Sequence, residues 1–232
     1  MARHPVADSK TPAGGFTLVE ILVVLAILAT LISLVAATIP RAMKAKKVTQ
    51  AQTLINSVGA ALELLRNDNE QYGKYPPSRS RDVKFGKILV GKDLGMPNET
   101  NVGIETIFFI LNNPEIHVAQ VTTDVELIGN TDEDSFRSAR GTAQDAYARE
   151  YLDPWGQPLV YIHANDYKDP KGLGEILTVE GVKIHVWPKK MPTRAGGGLL
   201  NPNSFQLFSV GPNGEQDPDE AEESDDIFFP SK

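Results

Sequence analysis

The chain has no cysteine among its 232 residues, which excludes disulfide staples and thiolate metal sites. Histidine is scarce: His4, His117, His163 and His185 are the full set. His163 and His185 fall in expected strands, but no further ligands accompany them to complete a zinc site. No G-x-S-x-G, H-E-x-x-H or P-loop pattern occurs, and the glycines at 196–198 lack the Lys-Ser/Thr of a phosphate loop. With none of these catalytic patterns present, the chain reads as a non-enzyme with no catalytic residue to name. A basic stripe is also missing. For that reason nucleic acid is not the expected partner; the formal net charge is −7.

The acidity is local. Eight acidic residues and no basic one lie between Glu215 and Asp226, and the rest of the chain carries 22 acidic against 23 basic residues. The other local feature is a long run nearly free of charge. From Phe16 to Ile39 the only ionisable residue is Glu20. At about 1.5 Å per helical residue such a run crosses a hydrocarbon core of about 30 Å. A carboxylate inside it costs a few kcal/mol and so marks a functional residue. An ordinary secretory signal has a shorter apolar region with its small residues after it. Here Gly14-Gly15 come before it, and Val35-Ala36-Ala37-Thr38 mimics a cleavage site only weakly.

A polar leader, a Gly15-Phe16 junction and Glu20 five residues into an apolar helix resemble the type IV pilins and pseudopilins over roughly residues 14–75. That resemblance implies cleavage between Gly15 and Phe16 by a prepilin peptidase, N-methylation of Phe16, and assembly into a helical filament in which Glu20 compensates a neighbour's terminal amine. It also implies a cytoplasmic leader. Arg41, Lys44, Lys46 and Lys47 follow the run, against Arg3 and Lys10 before it. The positive-inside rule weakly favours the opposite orientation, and the resemblance is given precedence.

Pro40 removes one helical donor, which predicts a kink and not a stop. The apolar period resumes with Val48, Ala51, Leu54, Ile55, Val58, Ala61, Leu62 and Leu65 on one face. Asn67 to Gly73 ends the helix, and Tyr75-Pro76-Pro77 forces an extended turn. The apolar stripe needs a cover, expected to be an antiparallel sheet. Leu159–His163 and Phe205–Val210 read as strands, Glu175–Glu180 and Val182–Trp187 as a hairpin across Glu180-Gly181, and Lys189–Pro202 as a loop. Between 78 and 150, Ile104, Ile107, Phe108 and Leu111 predict a short helix before Pro114. Thr131–Asp134 resembles a capping box that would start another towards Tyr151. The division is therefore a leader at 1–15, a membrane or filament-core helix at 16–39, its amphipathic continuation at 40–75, an inserted subdomain at 76–150, and a sheet with an acidic loop at 151–232. The fold class is α+β and pilin-like.

Three blocks sharpen the resemblance: Tyr72-Gly73-Lys74-Tyr75-Pro76, Asp153-Pro154-Trp155-Gly156-Gln157-Pro158-Leu159-Val160-Tyr161, and Phe205–Gly214 with Asp226-Ile227 beyond. They resemble the type II secretion major pseudopilin. Asp153-Pro154 opens a tight turn and Trp155 anchors it, a structural block. In such pseudopilins the last loop holds calcium, and the matching positions are Asn213, Asp217, Asp219, Ser224, Asp225 and Asp226. Asn213 and Ser224 stand where an Asp is usual, and the spacing is not that of an EF-hand. A solvated acidic tail is the other reading of the segment. The resemblance implies a single-pass inner-membrane protein with a cytoplasmic N-terminus and a periplasmic domain. It would assemble with itself, other pseudopilins and the inner-membrane secretion platform into a pseudopilus that drives export. A type IV pilus subunit, or a signal-anchored periplasmic binding or enzyme domain, is the alternative.

Overall fold

The computed structural model describes residues 15–68, 72–79, 83–85, 88–90, 99–113, 121, 123–135, 148–168, 175–177, 181–190, 197–217 and 224–230. A single helix, α1 (Leu18–Asn67), spans 50 residues and continues through Pro40. The chain divides into two compact units, Met1–Ala45 and Lys46–Lys232. In the first, the apolar residues of α1 are exposed: Leu22, Leu25, Leu31 and Leu34 among them. Among the described residues it is the one helix long and apolar enough to cross a membrane.

In the second unit, α1 buries the stripe read from its period. Ala51, Leu54, Ile55, Val58, Ala61, Leu62 and Leu65 are buried, and Val48 alone of that set is exposed. Removing each large aliphatic side chain from water contributes about 1.5–3 kcal/mol. Short elements follow: β1 (Val83–Phe85) and β2 (Ile88–Val90) as a hairpin, α2 (Val102–Asn112), then β3 (Ile128–Gly129) paired with β4 (Glu150–Tyr151). The helix expected before Pro114 is α2. The one expected from Thr131 does not start there: 131–134 are turn and irregular backbone and Ser135 forms a bridge. Asn130 takes over the local donors, accepting from the Asp134 N–H at 3.1 Å and donating to the Asp134 carbonyl at 2.7 Å. Residues 136–147 of that expected helix lie outside the described residues.

The principal sheet has the order β5 (Val160–His163), β8 (Phe205–Ser209), β9 (Ile227–Phe228), all antiparallel. Successive strand residues face opposite sides. Tyr161, Phe205, Leu207 and Ile227 join the α1 core, while Val160, Ile162, Phe208 and Val210 form a second core with Tyr167, Ile176 and Val186. Both faces of the sheet are therefore buried, and the polar residues of β8, Gln206 and Ser209, are buried with the apolar ones. The hairpin β6 (Glu175–Leu177) and β7 (Lys183–His185) has the expected centre, with Ile176 opposite Ile184. It forms its own two-stranded sheet, and through Ile176 it packs on the face of the principal sheet away from α1.

One glycine in α1 is required by packing. A Cβ on Gly59 would lie 2.4 Å from Cδ2 of Phe229. That ring stacks on Phe205 at 5.7 Å between centroids and 6° between planes, so the segment after β9 lies directly on the helix.

Candidate functional site

At the start of α1 the backbone makes a reciprocal cap. The Glu20 N–H donates to Thr17 Oγ1 at 3.2 Å, and Glu20 Oε2 accepts from the Thr17 N–H at 2.8 Å and its hydroxyl at 2.9 Å. This is a capping box, which satisfies two donors that a helix start leaves open. The T-x-x-E spacing of Thr17 and Glu20 is its signal, and reading Glu20 only as an intramembrane charge missed it. Phe16 is 83% exposed. A Cβ built on Gly15 meets nothing within 4 Å, and Gly15 is not among the positive-φ residues. Nothing in the described chain requires glycine there. Gly14 lies outside the described residues.

In the second unit the three sequence blocks meet. The Tyr161 hydroxyl donates to the Pro76 carbonyl at 2.6 Å, and the Tyr75 ring packs edge-on to Phe205 at 5.0 Å. Asp153 closes its own turn: Oδ1 accepts from the N–H groups of Trp155 and Gln157, both at 2.9 Å. Its Oδ2 accepts from the Ser209 hydroxyl at 2.6 Å, and Ser209 Oγ accepts in turn from the Gly211 N–H at 3.0 Å. Burial pushes Asp153 up to about 6, and the donors from Ser209, Gln157, Trp155 and Gly156 oppose the shift only partly. The structural reading of the block therefore extends to the loop after β8. Gly211, at φ 72°, is needed there because a Cβ would lie 2.6 Å from the Asp225 carbonyl oxygen.

That loop brings together Asp217, Asp225 and Asp226, with one oxygen of each within 4.8 Å of the others. Asp217 Oδ2 accepts from the Asp225 N–H at 2.8 Å, and Asp226 Oδ2 accepts from the Asp217 N–H at 3.2 Å. Asn213 and Ser224 support the turn: Asn213 Oδ1 accepts from the Glu215 N–H at 2.9 Å, and Ser224 Oγ accepts from the Asp226 N–H at 3.3 Å. Both also touch the carboxylate group: the Asn213 amide donates to Asp217 Oδ1 at 3.4 Å, and the Ser224 hydroxyl bonds to Asp217. Asp219 lies outside the described residues. Among the described residues, Oδ1 of Asp225 and of Asp226 are buried without a hydrogen-bond partner. Burial raises Asp226 to about 6 against the pull of Lys189. Burial and the Asp217 charge raise Asp225. Burial is the largest single influence on Asp217 and opposes its ionisation, yet the donors from Asp225 and Ser224 and the Lys189 charge together hold it below its usual value.

The sequence reading missed Lys189, which it assigned to a Gly/Pro-rich loop. Gln206, buried on β8, holds the Lys189 backbone on both sides, accepting from its N–H at 2.7 Å and donating to its carbonyl at 2.9 Å. The Lys189 ammonium lies 3.0 Å from Asp226 Oδ2 and donates to the Asp217 carbonyl. An internal cation therefore neutralises one carboxylate of the loop. The hard oxygen donors and the two orphaned buried oxygens still fit a calcium ion beside it.

His163 and His185 are on different sheets, in β5 and β7. His163 Nδ1 accepts from the Asn165 N–H at 3.0 Å, and no metal group containing histidine occurs among the described residues. His4 and His117 lie outside them.

Residues 11–36 match the family model for the prokaryotic N-terminal methylation motif. No curated protein and no solved structure matches the chain. The motif, which runs into the first part of α1, and the one apolar helix of membrane-spanning length among the described residues support a type IV pilin-like, membrane-anchored protein of α+β fold; such a motif implies prepilin processing and polymerisation.

Proposed function

We propose that the chain is a pseudopilin subunit of a type II secretion system. It is cut between Gly15 and Phe16, methylated on Phe16, and polymerised into a periplasmic pseudopilus anchored in the inner membrane. Its partners are its own copies, other pseudopilins, the prepilin peptidase and the secretion platform. The observation that carries the reading is the tie from the Asp153 turn through Ser209 to Gly211, which joins two of the pseudopilin-like blocks behind an N-terminal methylation motif. The free spaces around Gly15 and Phe16 suit a junction that must enter an enzyme's cleft. Glu20, an acidic residue in the first turn of α1, would compensate a neighbour's terminal amine once the leader is gone.

In this reading Asp217, Asp225 and Asp226 hold a calcium ion in the last loop, with Lys189 as a resident counter-charge and Asp219, Asn213 and Ser224 as flanking oxygen groups. The ion would supply charge compensation and tie the loop to the end of β8. Mass spectrometry of the N-terminus of protein purified from its native membrane tests processing: the expected first residue is methylated Phe16, and an intact leader refutes the proposal. Immunogold labelling of intact cells separates the two filament types. Surface filaments would instead identify a type IV pilus subunit.

A further inference from the structure

The insertion contains a buried acidic group that the filament reading does not use. Glu105, in the first turn of α2, is 0% exposed. Among the described residues neither of its carboxylate oxygens has a hydrogen-bond partner. Glu105, Asp132 and Asp134 each place an oxygen within 4.8 Å of the others. A second carboxylate wall stands beside them. Glu150 on β4 is also 0% exposed, but it is satisfied, accepting from the Thr131 N–H at 2.9 Å, the Thr131 hydroxyl at 3.2 Å and the Asn101 amide.

A buried, unpartnered carboxylate is costly, because ionisation in a low-dielectric site needs a compensating charge. The described charges acting on Glu105 are Asp134, Asp132 and Glu150, all of the wrong sign. Relief comes from a proton or from a cation. A proton supplies one donor and leaves the second oxygen unmet. A cation satisfies both oxygens and brings Asp132 and Asp134 in as ligands. The donors are all hard oxygens, with carboxylates from a helix and a loop, which is the ligand chemistry of calcium.

We propose that Glu105, Asp132 and Asp134 form a divalent-cation site of calcium type, distinct from the C-terminal loop. Occupied, it links the first turn of α2 to the loop at 131–134, and through Thr131 and Glu150 to β4. The inserted region then holds its fold through a metal staple in a chain with no cysteine. The site does not depend on the secretion reading or on the calcium assigned to Asp217, Asp225 and Asp226.

The test is equilibrium dialysis of the full chain in detergent micelles against radioactive calcium, after treatment with chelator. Glu105→Gln and Asp132→Asn should each bind one calcium per chain fewer than the unaltered protein, and should lose it equally in an Asp226→Asn background. If Asp226→Asn binds as much as the unaltered chain while Glu105→Gln does not, the C-terminal assignment fails and this one stands. Unchanged binding in both Glu105→Gln and Asp132→Asn overturns the proposal. Thermal melting adds a check on folding. In chelator Glu105→Gln should melt higher than the unaltered protein, since it removes one crowded charge, and in millimolar calcium it should melt lower. A higher melting point in both conditions means that Glu105 is relieved by a proton, and overturns the proposal.

Discussion

Replacing Gly59 with alanine isolates how the C-terminal segment is held against α1. On an unobstructed helix Gly→Ala stabilises by about 1 kcal/mol. Here the added Cβ would sit 2.4 Å from Cδ2 and 2.5 Å from Cγ of Phe229. Cγ lies close to the backbone, so a small end-of-chain rotation does not clear the clash. The ring is backed by Phe205 in a stacked contact, and its own N–H donates to the Leu207 carbonyl at 2.9 Å. Overpacking of this kind costs about 1–3 kcal/mol, so the net effect of Gly59→Ala is a loss of about 0–2 kcal/mol. In a Phe229→Ala background the clash is absent, and the same substitution should stabilise by about 1 kcal/mol. The coupling energy from the double-mutant cycle is then about 1–3 kcal/mol, equal to the overpacking term. Urea unfolding of the full chain in detergent, followed by tryptophan fluorescence, measures all four variants. A Gly59→Ala effect of the same sign and size in both backgrounds would refute the reasoning, since it would mean that Phe229 does not lie on the helix.

Glu20→Gln keeps the capping box, which accepts either side chain, and removes the charge. It should be processed normally and assemble poorly, and filaments of ordinary abundance by electron microscopy would show that Glu20 acts as a cap alone. Lys189→Met strips the cation from a buried pair, a loss of about 3–5 kcal/mol by melting in chelator. Calcium should recover part of it and bind more tightly than in the unaltered chain, and indifference to calcium would count against the loop site. Asp153, raised by burial to about 6, makes a contribution that is full below its ordinary value of 3.8 and is lost as pH rises through about 6. The stability difference between the unaltered chain and Asp153→Asn should therefore shrink across that window in chemical denaturation, and a flat difference would show that Asp153 stays ionised throughout.

The features carried by local pattern were legible. The apolar run and the stripe from Ala51 to Leu65 gave α1 and its buried face, and the hairpin at 175–185 was readable from alternation around Gly181. What was not legible is defined by a partner far along the chain. The strand β9 is two residues long and exists because β8 pairs with it. Lys189 looked like a loop residue because its carboxylate is at Asp226. Glu105 is separated from Asp132 by a stretch without a repeating pattern, so their shared site has no sequence spacing to recognise. The cap at Thr17 had a signal, but the charge of Glu20 drew the reading to the membrane. Of the expected calcium ligands, Asp217, Asp225 and Asp226 come together, and Asn213 and Ser224 lie beside them, each accepting from an N–H two residues on, as short polar side chains do, and each reaching Asp217.

The sheet buried on both faces also sets how the domain fails. Strand β8 contributes Phe205 and Leu207 to one core and Phe208 to the other, and it lies between β5 and β9, paired with both. Shearing β8 from its neighbours opens the two cores together, so neither can yield first and act as a cushion. Under load the domain should behave as a brittle element that holds its shape up to a threshold and then gives way in one event, with little gradual extension before it.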